Sequence, residues 1–183
     1  MSTHRTVLGR LSRRKVIQSA VAGTLTLPLL SAAAAPDLAD GKIVWPELQL
    51  ADGTTLPPSA WVNTPAVVVF WEPWCPYCKR HNAHVEELYQ STLGKKIRIL
   101  GATAEKDVSK VRGYIQANQF HFPVAMVGAE FRAQFTSRRI IPMTCLVSAD
   151  SRLLQAIPGE MSNADVLSLA APLLKTSGGL GKT

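Results

Sequence analysis

Cys75-Pro76-Tyr77-Cys78 sets two thiols three positions apart. On a helix that separation brings the second sulfur around one turn, within reach of the first. The chemistry this allows is thiol–disulfide exchange, in which a thiolate attacks a disulfide sulfur and a mixed disulfide forms. A helix N-terminus presents unpaired N–H groups and a partial positive charge, which favour a thiolate. Cys75, first in the pair, therefore reads as the nucleophile. Cys78 reads as the resolving thiol, more buried and less reactive, which attacks the mixed disulfide and releases the partner.

Two other readings are open to such a pair. It could be half of a zinc site, but zinc takes four ligands and Cys145 is the one remaining cysteine. His81 and His84 lie just downstream and could be recruited; three residues past Cys78, a histidine reads first as an exposed one. It could also be a structural disulfide. Cys145 lies inside an apolar stretch and reads as an inert core thiol.

The pair has to be positioned by the elements around it. Ala66-Val67-Val68-Val69-Phe70-Trp71 is a continuous apolar, β-branched run, the pattern of a central strand buried on both faces. A helix is expected from about Cys75 to about Leu93, with Pro76 in its first turn and Gly94 past its end. Val85, Leu88 and Leu93 would face inward, and Glu86 and Glu87 water. Before the central strand, Ile43–Leu50 reads as an irregular or edge strand because of Pro46. Asp52-Gly53 marks a hairpin turn. After the first helix come a strand at Ile97–Ala102, a helix at Asp107–Asn118, a short strand at Phe122–Val127 and a helix at Ala129–Phe135. Thr144–Val147 and Leu153–Ile157 form a second hairpin, and a helix over Ala164–Leu174 is capped by Ser162 or Asn163. Gly178, Gly179 and Gly181 suggest a frayed tail. The result is an α/β chain with a mixed sheet and helices on its faces.

Phe70-Trp71-Glu72-Pro73-Trp74-Cys75-Pro76-Tyr77-Cys78-Lys79 resembles the active-site segment of thioredoxins, and Ile141-Pro142-Met143-Thr144 resembles their cis-proline turn. The hairpin before the central strand and the additional strand–helix unit over roughly Ile97–Val127 are similar to exported proteins of the TlpA/ResA type. This resemblance covers about residues 43–175. It implies a thioredoxin fold with an N-terminal β-hairpin and an extra strand–helix insertion, and a redox-active Cys75–Cys78 disulfide. It further implies that Trp74, Pro76, Tyr77, Ile141 and Pro142 meet the substrate, with the backbone of Ile141 pairing to an extended chain. Glu105, at the end of a strand where ResA-type relatives often keep an acid, would relay a proton to Cys78. The activity implied is reduction of disulfides outside the cytoplasm, and Ile141 before the proline leans the same way, as in cytoplasmic thioredoxins. Pro-Tyr between the cysteines also resembles glutaredoxins and some periplasmic isomerases, which leaves a disulfide oxidase or isomerase as the alternative. A copper-binding metallochaperone is a more distant one.

The formal net charge of +7 on 183 residues would by itself suggest an anionic partner. Arg5, Arg10, Arg13, Arg14 and Lys15 all precede residue 16, and no acid precedes Asp37. Setting residues 1–35 aside leaves 15 basic against 13 acidic residues, a net of +2, so nucleic acid is not an expected partner. Residues 1–35 read as a signal peptide and 36–183 as the functional domain. Ser12-Arg13-Arg14-Lys15 resembles a twin-arginine export signal, the apolar run Ala20–Leu30 is too short to span a bilayer, and Ala33 and Ala35 fit a cleavage site. A leader left uncleaved would act as a loose membrane tether. Export would place the domain in the periplasm, where disulfide chemistry is permitted. The expected partners are exported proteins bearing disulfides and a membrane thiol electron donor, with the chain itself a monomer. No cofactor and no metal are expected.

Overall fold

The computed structural model describes residues 41–177. The expected leader and the glycine-bearing tail lie outside the described residues. In chain order the elements are β1 (Leu48–Gln49), β2 (Thr55–Leu56), a 3-10 turn (Pro58–Trp61), β3 (Ala66–Phe70), α1 (Pro76–Gln90) and a second 3-10 turn (Gly94–Lys96). There follow β4 (Arg98–Thr103), α2 (Val108–Asn118), β5 (Val124–Met126), α3 (Ala129–Ala133), β6 (Met143–Val147), β7 (Leu153–Pro158), α4 (Asn163–Ser168) and α5 (Ala170–Ser177). The order is the one read from the sequence up to the last helix. The hairpin β1–β2 turns at Asp52, whose carboxylate accepts from the Thr54 N–H at 2.8 Å and from its hydroxyl at 2.7 Å.

The main sheet runs β5-β4-β3-β6-β7. β3 pairs in parallel with β4 and antiparallel with β6, and it is buried throughout, as an unbroken apolar run requires. Its alternating side chains divide the core in two. Val67, Val69 and Trp71 pack with Val85 and Leu88 of α1, Val111 of α2 and Val166 of α4. Ala66, Val68 and Phe70 pack on the other face with Phe131 of α3, Phe135 and Trp61. Three aromatic rings sit on that second face in tilted and edge contact, Phe70, Phe131 and Phe135, with centroids 5.1–6.2 Å apart.

Three boundaries differ from the sequence reading. Strand pairing around Ile43–Leu50 is confined to bridges at Lys42 and Leu50 and to Leu48–Gln49, because Pro46 has no N–H to give. α1 stops at Gln90. Ser91 turns extended there, its hydroxyl donating to Leu88 O at 2.7 Å and accepting from Gly94 N–H at 3.0 Å. Leu93, beyond that stop, is consequently exposed rather than inward. The last helix is two, since Pro172 cannot donate to Ser168 and its ring crowds that carbonyl. Ser162 is the cap, accepting from Asp165 N–H. Among the described residues no helix is long and apolar enough to cross a membrane.

Candidate active site

β3 delivers the chain to the C-terminal edge of the sheet. Trp71 N–H donates to Ala102 O at 3.0 Å, and the chain then turns so that Cys75 N–H reaches Glu72 O at 3.1 Å. α1 begins at once, with Pro76 in the position where a missing N–H costs nothing. Cys75 is its N-cap, and Sγ accepts from Cys78 N–H at 3.2 Å. That contact fixes the sulfur at the positive end of a fifteen-residue helix. Cys75 is 4% exposed and Cys78 is fully buried. Burial first, and then the hydrogen bond shared with Cys75, push the Cys78 thiol well above the usual range; the charge of Glu72 adds to this while its backbone N–H opposes it.

The surroundings are mostly apolar. Trp71 is fully buried and stacks on Tyr114 of α2 at 4.9 Å. Burial, then the charges of Cys78 and Cys75, push the Tyr114 hydroxyl up to about 12. Above the pair, Trp74 is 68% and Tyr77 58% exposed, and the Arg80 guanidinium lies 5.1 Å from the Tyr77 ring. Arg80 is held there by a two-pronged pair with Glu160 (2.7 and 2.6 Å). Pro76 is exposed on the same surface.

The Ile141–Pro142 bond is cis. In the β3–β6 register Phe70 lies opposite Met143, so Ile141 and Pro142 run past the sheet beside the segment that leads to Cys75. Ile141 and Trp74 line the same cavity. The backbone of Ile141 stands outside the β6 ladder.

Three side chains depart from the sequence reading. His81 is buried, not exposed. Its Nδ1 accepts from Met161 N–H at 3.2 Å, so Nε2 carries the proton and donates to Thr144 Oγ1 at 2.9 Å. Burial, with His84 next, pushes it down to about 4. Both ring nitrogens of His81 are thereby committed, and His84 Nδ1 is turned to Met161 O. Glu105 is not brought to Cys78. One of its oxygens accepts from Lys106 and Asp107 N–H and the other from Lys110 Nζ at 2.6 Å, which holds the carboxyl below its ordinary value. The acid whose charge bears on Cys78 is Glu72, whose oxygens accept from Thr103 Oγ1 at 2.9 Å and Ala104 N–H at 3.0 Å. Sequence spacing hid it, because Glu72 faces back over β4. Glu86 likewise does not face water; it accepts from the N–H groups of His121 and Phe122.

Cys145 is on the other face of the sheet, packed with Phe70 and Met143 while Cys75 and Cys78 pack with Trp71. Burial pushes its thiol up to about 12.

The chain is 27% identical over 96 residues to the thiol-disulfide oxidoreductase ResA of Bacillus thuringiensis subsp. konkukian, covering 51% of this chain and 54% of that one. It thus spans about half the length of the curated relatives it matches. Among solved structures, a thiol:disulfide interchange protein of the thioredoxin family from Chlorobium tepidum superposes with a TM-score of 0.64 at 19% identity, over 70% of this chain and 92% of that one. A secreted Mycobacterium tuberculosis disulfide oxidoreductase superposes with a TM-score of 0.60 at 17% identity, over 69% and 95%. At these identities the superpositions establish the thioredoxin fold. The family model described as AhpC/TSA matches residues 42–150, more than half of the sequence, and the chain belongs to the AhpC/TSA family.

Proposed function

We propose that this chain is an exported thiol:disulfide oxidoreductase that reduces disulfides of exported proteins with the dithiol Cys75–Cys78. The observation that carries the reading is the asymmetry of the pair. Cys75 Sγ caps α1 and keeps a small exposed area, while Cys78 is fully buried, donates its N–H to that sulfur and has its thiol pushed up by burial.

In the forward cycle the Cys75 thiolate attacks one sulfur of the substrate disulfide. The second substrate sulfur leaves as a thiolate and takes up a proton. Cys78 then gives up its proton and attacks Cys75 Sγ, expelling the first substrate sulfur as a second thiolate. Two electrons have passed to the substrate, and the protein is left with a Cys75–Cys78 disulfide. Trp74, Pro76 and Tyr77 offer the substrate an exposed surface, and Ile141 offers backbone groups to an extended chain beside the cis Pro142. Renewal needs a dithiol donor, which for an exported domain is a membrane-held thiol protein. Export is supported by the basic start, short apolar run and Ala-x-Ala of residues 1–35. The similarity to ResA, a thiol-disulfide oxidoreductase, supports the chemistry, and Ile141 before the proline supports the reducing direction.

The test is capture. With Cys78→Ser the first step is retained and the second is lost. Incubation with a disulfide-bonded protein should accumulate a covalent adduct on Cys75 that dithiothreitol releases. Cys75→Ser/Cys78→Ser should capture nothing, and an adduct that survives the loss of Cys75 would refute the assignment.

A further inference from the structure

Beside the dithiol, a groove of about 550 Å³ opens from Trp74 and Ile141 toward α3. Its floor is apolar, with Phe70, Ala102 and Val127, and its far wall carries Arg132, Arg138 and Arg139. Arg132 is structural. Its guanidinium lies 4.8 Å from the Phe70 ring centroid and donates to the carbonyls of Arg138 (3.0 Å) and Ile140 (2.8 Å), fixing the loop that leads to Pro142. Arg138 and Arg139 are exposed at the rim.

Those two differ from the other described arginines. Arg80 and Arg152 pair with Glu160 and Asp150. Arg98 and Arg112 donate to the carbonyls of Ala60 and Ala51. Among the described residues, the guanidiniums of Arg138 and Arg139 meet no carboxylate and no carbonyl. The groove's one acid, Glu72, is already occupied by Thr103 and Ala104. A groove that starts at Trp74, the neighbour of Cys75 in the chain, and at Ile141 before the cis proline, and ends on two unpaired cations, is complementary to an extended chain whose far end is anionic.

We infer that this groove is a specificity subsite for an acidic segment lying a few residues from the target disulfide, its carboxylates pairing with Arg138 and Arg139. The inference rests on the oxidoreductase reading, and names the substrate class that the same site would prefer. Position within the chain follows from the cis-proline loop. A substrate strand laid along Ile141 advances about 3.3 Å per residue, so only the few residues flanking its cysteine can reach the arginines.

The test uses the full chain in its reduced form and two peptides with the same internal disulfide, one flanked by glutamates and the other by glutamines. The quantity read is the ratio of their second-order reduction rates. The ratio should be about tenfold in favour of the acidic peptide at low salt, the size expected for two partly exposed charge pairs, and should fall toward one as salt is raised. R138Q/R139Q should bring the ratio to about one, and R138E/R139E should invert it. A ratio near one in the wild type, or a preference that persists in both variants, would overturn the subsite while leaving the dithiol chemistry intact. Reduction of neither peptide would overturn the oxidoreductase reading and the subsite with it.

Discussion

Three positions along α1 separate a sulfur that caps the helix from one with no exposure, and that difference was legible in the sequence. Pro76 and the preceding apolar run fix where the helix starts, and the start fixes which thiol is outermost. Cys145 tests the same logic in reverse. It is as buried as Cys78 but on the opposite face of β3, with its thiol pushed up to about 12 by burial. Cys145→Ala is expected to leave the disulfide-exchange rate within about twofold and to cost about 1 kcal/mol of stability, read by urea denaturation. A large loss of exchange activity would give Cys145 a role it is not assigned here. Other residues were not legible. His81 looked exposed because its partners, Thr144 and Met161, are 63 and 80 positions away. Glu72 was overlooked and Glu105 preferred, since sequence cannot say that Lys110 folds back onto Glu105.

Between elements, His81 ties α1 to β6 and to the loop before α4. The folded chain holds this histidine neutral down to about 4, whereas an unfolded chain takes up the proton near 6.5. Between those values the unfolded state binds more protons, so stability falls as pH drops through the window and this group adds nothing further below it. The loss is at most a few kcal/mol, at about 1.4 kcal/mol per pKa unit. Melting temperatures from pH 7 to pH 4 should decline more steeply for wild type than for His81→Gln, and parallel curves would contradict this. Packing of β4 against Trp71 gives a second check. A Cβ on Gly101 would stand 2.8 Å from Trp71 Nε1 and 2.8 Å from Phe122 Cε2, whereas one on Gly113 in α2 would meet nothing within 4 Å. Gly101→Ala should therefore cost about 1–3 kcal/mol, and Gly113→Ala should stabilise by up to about 1 kcal/mol. Denaturation midpoints that move in the same direction would contradict the packing argument. Element order was readable because β-branched runs, Pro76 and the Ser162 cap act locally. Element ends were not, because Ser91 and Pro172 act through contacts with the preceding turn.

Over the whole molecule, charge is divided between a basic N-terminal stretch and a domain close to neutral, so the basic balance of the sequence says little about what the domain binds. What distinguishes the domain surface is local, an exposed Trp74 and Tyr77 over the dithiol and two unpaired arginines along one groove. The fold places every one of these at the end of the sheet where β3 delivers Cys75. The groove itself could not be seen in the sequence, since it joins α3, the loop before Pro142 and the ends of β3 and β4.

The central claim is that Cys75 and Cys78 form a reducing dithiol, and the most direct test is the reduction potential of the purified protein equilibrated in dithiothreitol and glutathione buffers. One reversible two-electron couple is expected, lost when either cysteine is replaced, near the value of about −270 mV typical of thioredoxin. A couple near about −120 mV would contradict the reducing direction, and no reversible couple between the two thiols would contradict the dithiol chemistry altogether.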